Sequence, residues 1–295
     1  MAGRFIDKRV IVTGASCGIG AAAAKQFAVE GACVVLVARR REALETVARQ
    51  IGPDRVLVVA ADVTDTDAMG TMLERTQTQF GGVDVLVNNA GYHARGPLER
   101  RCPDELARMI DVNLKAPAVL CRMALPYLRR AGGGAIVNVA SLAGRVPSGG
   151  TATYCATKFG LRAFSLSLAE ELEGTGITVS VVSPGLVDTE FFADQVEDVT
   201  ALAFSQRMST AEQIAGQILA CAADGRRERA VPPPMGAICT IGYVFPGLRR
   251  VVRPWLERRG RANKERYIDS RISRRLSQSA SSRDASGHAS DRGDR

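Results

Sequence analysis

The sequence predicts a three-layer α/β fold: a doubly wound parallel sheet of about seven strands with helices on both faces. Three observations predict it. Short β-branched runs alternate with helix-like stretches from Arg9 to Val231. A glycine-rich turn joins the first run to the first helix. Polar, chemistry-bearing residues recur just after the apolar runs, and open parallel sheets bind ligands outside the carboxyl ends of their strands.

Composition sets the outer limits. With 295 residues, 46% of them apolar, the chain is long enough for one large α/β domain with a sizeable core. No apolar run reaches the length of a membrane span, and residues 1–8 do not read as a secretory leader. The seven cysteines are scattered without a Cys-x-x-Cys pair or nearby histidines. They read as reduced thiols of a cytoplasmic protein, with no metal site. The net charge is +8, yet residues 226–275 alone hold 14 Arg or Lys against 4 Asp or Glu. The basicity therefore belongs to a C-terminal extension. We divide the chain into a main domain (1–231), an apolar and basic extension (232–276) and a tail (277–295) too polar to order itself.

Residues 9–13 (RVIVT) form a buried strand by pattern. Gly14-Ala15-Ser16-Cys17-Gly18-Ile19-Gly20 follows and leads into a helix over 21–30. A strand, a glycine turn and a helix in that order make a phosphate cradle. Glycine lets the backbone approach a pyrophosphate, and a helix N-terminus attracts negative charge. Gly14, Ser16, Gly18, Ile19 and Gly20 are the candidate contacts; a plain glycine turn is the bland alternative. The second strand, 33–38, ends without a carboxylate, and Arg39 follows it. An acid at this place binds the 2′-hydroxyl of NAD, whereas an arginine accommodates the 2′-phosphate of NADP. Arg39 therefore favours NADP(H) over NAD(H), unless it joins Arg40 and Arg41 as the solvated start of the helix over 40–51.

The third strand, 56–60, runs up to Asp62-Val63, and a helix over 65–80 follows. The fourth strand, 83–87, has Asn88-Asn89-Ala90-Gly91 at its carboxyl end. Residues 103–127 read as one long helical region containing Asn113, with bends at Pro117 and Pro126. Ser141 follows the fifth strand, 135–140. The next helix carries Tyr154 and Lys158, which lie one turn apart on the same face. An ammonium held close favours a phenolate and draws the tyrosine pKa down from about 10. The pair is a tunable proton donor, although this spacing is common by chance. The sixth strand, 177–182, precedes Pro184-Gly185; an amphipathic helix over 210–223 and a short strand at 230–231 complete the domain.

Thr13 to Gly20, Asn88-Asn89-Ala90-Gly91, Asn113, Ser141, Tyr154-x-x-x-Lys158 and Pro184-Gly185, in this order and spacing, resemble the short-chain dehydrogenase/reductase superfamily over residues 5–225. The resemblance implies a Rossmann-fold, NAD(P)-dependent oxidoreductase acting on CH–OH/C=O groups. It implies that Tyr154 is the general acid, giving its proton to a carbonyl oxygen as hydride arrives from the nicotinamide. Lys158 would lower the tyrosine pKa and bond the nicotinamide ribose. Ser141 would orient and polarise the carbonyl, and Asn113 would hold the water that links Lys158 to solvent. Asp62 and Val63 look placed for the adenine, Asn89, Ala90 and Gly91 for the cofactor path, and Thr189, beyond Pro184 and Gly185, for the nicotinamide carboxamide. Asn88 is a contact or a brace of the sheet. One departure stands out: many NADP-preferring relatives carry a basic residue where this chain has Cys17, so NADP rests on Arg39 and the missing acid. Tyr92 and His93 follow the fourth strand and can reach the pocket; as a catalyst His93 gives way to an incidental polar residue, since Tyr154 already supplies the acid. Relatives are commonly dimers or tetramers, so a homo-oligomer is expected.

Glu190-Phe191-Phe192, Val196, Val199, Leu202, Phe204 and Met208 fall where the family carries a substrate lid. Their apolar character suggests a lipid, acyl or steroid-like substrate; packing onto the core is the equal alternative. In the extension, residues 235–248 are apolar, and residues 249–275 are basic and helix-compatible with a single Trp. That combination suits a peripheral membrane surface, a dimer partner or a cover for the substrate entrance. No nucleic-acid recognition module is apparent. A catalytically silent NADP-binding regulator or scaffold is one rival to an enzyme, and the intact set Asn113, Ser141, Tyr154 and Lys158 argues against it. A membrane-docked module with incidental activity is a second rival, which vesicle co-sedimentation with and without residues 232–295 would separate.

Overall fold

The computed structural model describes residues 3–189 and 193–287; for 193–195 and 271–287 it gives the backbone alone. Seven strands form one parallel sheet: β1 (Arg9–Thr13), β2 (Cys33–Ala38), β3 (Val56–Ala60), β4 (Val85–Asn88), β5 (Gly134–Val139), β6 (Ile177–Pro184) and β7 (Glu228–Val231). Their order is β3-β2-β1-β4-β5-β6-β7, so the winding reverses between β1 and β4. Val12 is the hinge of that register, pairing with Leu36 on one side and Val87 on the other. The switch point opens a crevice at the carboxyl ends of β1 and β4, where such sheets take their ligands.

The helices cover both faces. One core layer joins α1 (Gly18–Val29), α2 (Arg41–Ile51) and α7 (Ala211–Asp224) to the sheet through residues such as Phe27, Leu36, Leu44 and Ile218. The other joins α3 (Thr66–Phe80), α5 (Ala116–Arg130) and α6 (Ala152–Glu171) through Met69, Leu86, Leu120 and Ile136. Val10 to Val12 and Val85 to Val87 are buried. That is why the strands read as continuous apolar runs and not as alternating ones.

The long helical region divides where the sequence does not announce it. α4 (Pro103–Ile110) passes through a π-helical turn, Asp111–Lys115, before α5 begins. The break therefore precedes Pro117, which sits in the first turn of α5 directly after it. Pro126 lies inside α5 without ending it. A π-helical turn inserts an extra residue and commonly marks a functional position; this one contains Asn113.

Beyond β7 come α8 (Pro233–Val244) and α9 (Pro246–Gly287). Arg145 and Arg162 grip Glu228 of β7 at 2.7 and 2.6 Å, and Arg145 also donates to Gly236 O and Thr240 Oγ1 in α8. Farther along, α9 donates from Asn263 to Phe204 O and from Lys264 to Glu197 O and Val199 O. The helix runs past the boundary drawn at 276, because nothing from Arg261 to Ser286 is Gly or Pro. Residues 288–295 lie outside the described residues.

Candidate active site

The glycine turn is built for close approach. Gly14 and Gly18 have φ of 67° and 55°, in the left-handed region that favours glycine. A Cβ on Gly14 would meet the Asn89 amide at 2.8 Å, and one on Gly20 would collide with Gly14 O. Cys17 opens α1 in an extended conformation with no side-chain cap. The first amides of α1 thus have no side chain of their own to bond, as a phosphate-binding helix end requires. Thr189 stands over Gly18, its Cγ2 3.3 Å from where a Cβ would be.

Asn89 supports this turn from below. Its Nδ2 donates to Thr13 O at 3.0 Å, while the Asn89 and Ala90 N–H groups both donate to Thr13 Oγ1 at 3.0 Å. The open alternative for Asn88 resolves as a brace. Its Nδ2 donates to Asn138 Oδ1 at 2.8 Å, and Asn138 passes the chain on to Ser165 Oγ at 2.9 Å. All three side chains are buried, so the network locks β4, β5 and α6 together.

At the end of β2, Arg39 is exposed and Asp62 lies within reach of its charge. Burial works to raise the Asp62 carboxyl. Hydrogen bonds from Thr64 and the charges of Arg108 and Arg39 outweigh it and hold the carboxyl below its usual range. Val63 packs partly buried against the layer of α3 and α5.

Asn113, Ser141, Tyr154 and Lys158 converge above β4 and β5. Asn113 is buried; its Oδ1 accepts from Tyr92 N at 2.8 Å and its Nδ2 donates to Tyr92 O at 2.7 Å. A Cβ on Gly91 would lie 3.6 Å from Asn113 Oδ1 and 4.0 Å from Lys158 Nζ, so Gly91 keeps the space between them open. Ser141 accepts from Ala143 N at 3.1 Å, donates to Pro184 O at 3.4 Å and hydrogen-bonds toward Tyr154. Gly185 N donates to Val231 O, which fixes the turn after β6.

The electrostatics differ from expectation. Burial pushes the Tyr154 phenol up; the Arg95 cation and the Ser141 hydroxyl pull it back, and burial prevails. Lys158 was expected to do the lowering. Burial pushes Lys158 itself down to about 8, and its Nζ donates to Val139 O at 2.9 Å, 5.8 Å from the phenol ring centre.

His93 is a residue that sequence reasoning set aside. Its ring stacks on that of Tyr154 at 3.9 Å and 8°. It is buried, and among the described residues its Nε2 has no hydrogen-bond partner. Burial, with help from the Arg95 and Lys158 charges, lowers its pKa to about 3, so it is neutral. Its position two residues after Gly91 was the available signal.

The lid residues use their apolar surface among themselves. Val199 and Phe204 are buried in a cluster with Leu186, Val196, Met208 and Tyr267. This is the packing alternative, and it removes the reason for expecting an apolar substrate. Glu190, Phe191 and Phe192 lie outside the described residues.

Residues 8–200 match the family model for short chain dehydrogenase. The chain belongs to the short-chain dehydrogenases.

An uncharacterized oxidoreductase of Staphylococcus saprophyticus is 40% identical to this dehydrogenase over 194 residues, covering 65% of this chain and 78% of the relative. One from Staphylococcus aureus is 38% identical over 187 residues, covering 63% and 81%. Among solved structures, a short-chain type dehydrogenase/reductase from Mycobacterium marinum superposes with a TM-score of 0.71 at 29% identity, covering 77% of this chain and 94% of the other. A short chain dehydrogenase from Burkholderia cenocepacia in complex with NADP gives 0.69 at 32% identity, covering 77% and 97%. This dehydrogenase is thus an oxidoreductase of a family that uses nicotinamide cofactors, and its own glycine cradle fits one.

Proposed function

We propose that this dehydrogenase moves a hydride between NADP(H) and the CH–OH/C=O pair of a small-molecule substrate. The observation that carries the reading is the convergence of Ser141, Tyr154 and Lys158 beside the space that Gly91 leaves open. The nicotinamide supplies or accepts the hydride. In reduction Tyr154, kept protonated by burial, donates its O–H to the carbonyl oxygen; in oxidation it takes the proton back. Ser141 donates a second hydrogen bond to that oxygen and holds it in line. Lys158 and Asn113 border the cofactor side, where Lys158 bonds the ribose and Asn113 holds a water leading the proton out. Gly14, Ser16, Gly18, Ile19 and Gly20 cradle the pyrophosphate. Asp62 and Val63 border the adenine, Asn89, Ala90, Gly91, Pro184 and Gly185 follow the cofactor path, and Thr189 meets the carboxamide.

Preference for NADP(H) is supported by exposed Arg39 with no acid ending β2, and by the NADP bound to the Burkholderia cenocepacia relative. The uncommitted Nε2 of His93 offers the substrate a polar contact beside Tyr154. Seven free thiols suit a cytoplasmic setting, and a homo-oligomer suits the family. No described helix is long and apolar enough to cross a membrane.

The test is NADPH oxidation over a panel of aldehydes, ketones, β-ketoacyl thioesters and steroid ketones, with NADH in parallel. Tyr154→Phe should lower turnover about 10²–10⁴-fold while cofactor binding persists. Arg39→Ala should erase the preference for NADPH. Turnover unaffected by Tyr154→Phe would sink the assignment of the acid, and wild-type preference for NADH would sink the role of Arg39. Cofactor binding without turnover in either direction would favour the silent regulator.

A further inference from the structure

The two ends of α9 meet different surroundings. Gly260, Asn263 and Tyr267 lie at helical spacing on the face that packs on the body. A Cβ on Gly260 would collide with Ala201 O, Asn263 donates to Phe204 O, and Tyr267 donates to Asp188 at 2.8 Å. Leu248, Val251 and Trp255 form a second stripe at the same spacing, about 120° around the helix. These three are exposed, Val251 at 78% and Trp255 at 54%. On α8, Ile241, Val244 and Phe245 are about half exposed or more, and they meet the stripe at the elbow before Pro246. Soluble monomers rarely leave so continuous an apolar patch in water without a partner.

The charge around the patch names the partner. No Asp or Glu occurs between Ala230 and Leu256. Arg258 and Arg259 are exposed and flank the stripe at helical spacing, about 50° to either side, and the Arg259 guanidinium lies 5.8 Å from the Trp255 ring centre. A second copy of the chain would bring these arginines against one another, which like-charge repulsion disfavours. An anionic lipid surface satisfies both features: apolar and aromatic side chains enter the acyl boundary while arginines meet the headgroups.

We propose that the α8–α9 elbow is a peripheral docking surface for an anionic lipid bilayer. It lies flat on the bilayer without crossing it, and Leu248, Val251 and Trp255 enter first.

Trp255 is the single tryptophan of the chain, so its fluorescence reads the docking directly. Full-length protein is titrated with vesicles of phosphatidylcholine containing phosphatidylglycerol, and with phosphatidylcholine alone. The expected result is a blue shift and co-sedimentation with the anionic vesicles only, weakened by salt. Leu248→Asp with Val251→Asp should weaken binding at least tenfold, as should Arg258→Glu with Arg259→Glu. All four side chains are exposed, and unchanged circular dichroism would exclude unfolding. Failure to sediment overturns the proposal, as does binding that ignores both double substitutions. Concentration-dependent dimers split by Leu248→Asp and Val251→Asp, without vesicle binding, would assign the surface to a second copy instead. None of these residues takes part in the proposed chemistry, so the outcome is independent of it.

Discussion

In β4 the side chains of Val85, Leu86 and Val87 are sealed between two helical layers. In α8 and α9 those of Ile241, Phe245, Val251 and Trp255 stand about half or more in solvent. Both regions carry large apolar side chains, but they are held differently. The sheet is stabilised by burial, which contributes about 25 cal/mol per Å² of apolar surface removed from water. The extension is fastened by polar contacts and by one packed end, where Tyr267 joins the cluster of Val199 and Phe204: Arg145 bonds Gly236 and Thr240, Asn263 and Lys264 bond the backbone of Phe204 and Glu197, and Tyr267 bonds Asp188. An apolar run therefore states that burial is needed, without saying whether the same chain supplies it.

Substitutions can break or sharpen this contrast. The largest effect belongs to the sheet. Leu86→Ala should cost about 2–5 kcal/mol in urea unfolding, since Leu86 is fully buried; a loss below 1 kcal/mol would contradict the sealed layer.

His93 gives the next largest effect. Its folded pKa of about 3 lies below its ordinary value of 6.5. The unfolded chain therefore binds the proton first as pH falls, and stability falls with pH below 6.5. At pH 5 the contribution is about 2 kcal/mol relative to pH 7. His93→Phe, which can keep the stack on Tyr154, should flatten that part of the profile; identical profiles for the two proteins would refute a buried neutral His93.

Tyr267→Phe deletes one exposed hydrogen bond to Asp188, beside Thr189. It should cost about 0.5–1.5 kcal/mol and raise the substrate KM more than it lowers kcat, because it loosens the lid and leaves Tyr154 untouched. Equal changes in both constants would argue against a positioning role. The smallest effect is expected at Val251→Ala, within about 0.5 kcal/mol. A loss comparable to that of Leu86→Ala would mean that Val251 is covered in solution.

The proposed catalytic set could be picked out because its members sit at positions of local order. Ser141 lies two residues past β5, Tyr154 and Lys158 share a helix face, and the glycine turn follows β1. The π-helical turn at Asp111–Lys115 was not legible, since no Gly or Pro marks it. Asn113 within it bonds both backbone groups of Tyr92, a contact 21 residues distant. The stack of His93 on Tyr154 spans 61 positions and leaves no periodicity to read.

The sequence by itself determined the alternating strands and helices, the glycine turn between β1 and α1 and the candidates for the reacting residues, because these follow from short-range spacing and backbone conformation. Tertiary structure alone decided which groups reach the phenol. Arg95 and Ser141 act on Tyr154, while Lys158 is held by Val139 O, and electrostatic influence depends on distance and burial, not on position along the chain. It also decided that the lid's apolar side chains face one another and Tyr267, and that those of the α8–α9 elbow face solvent.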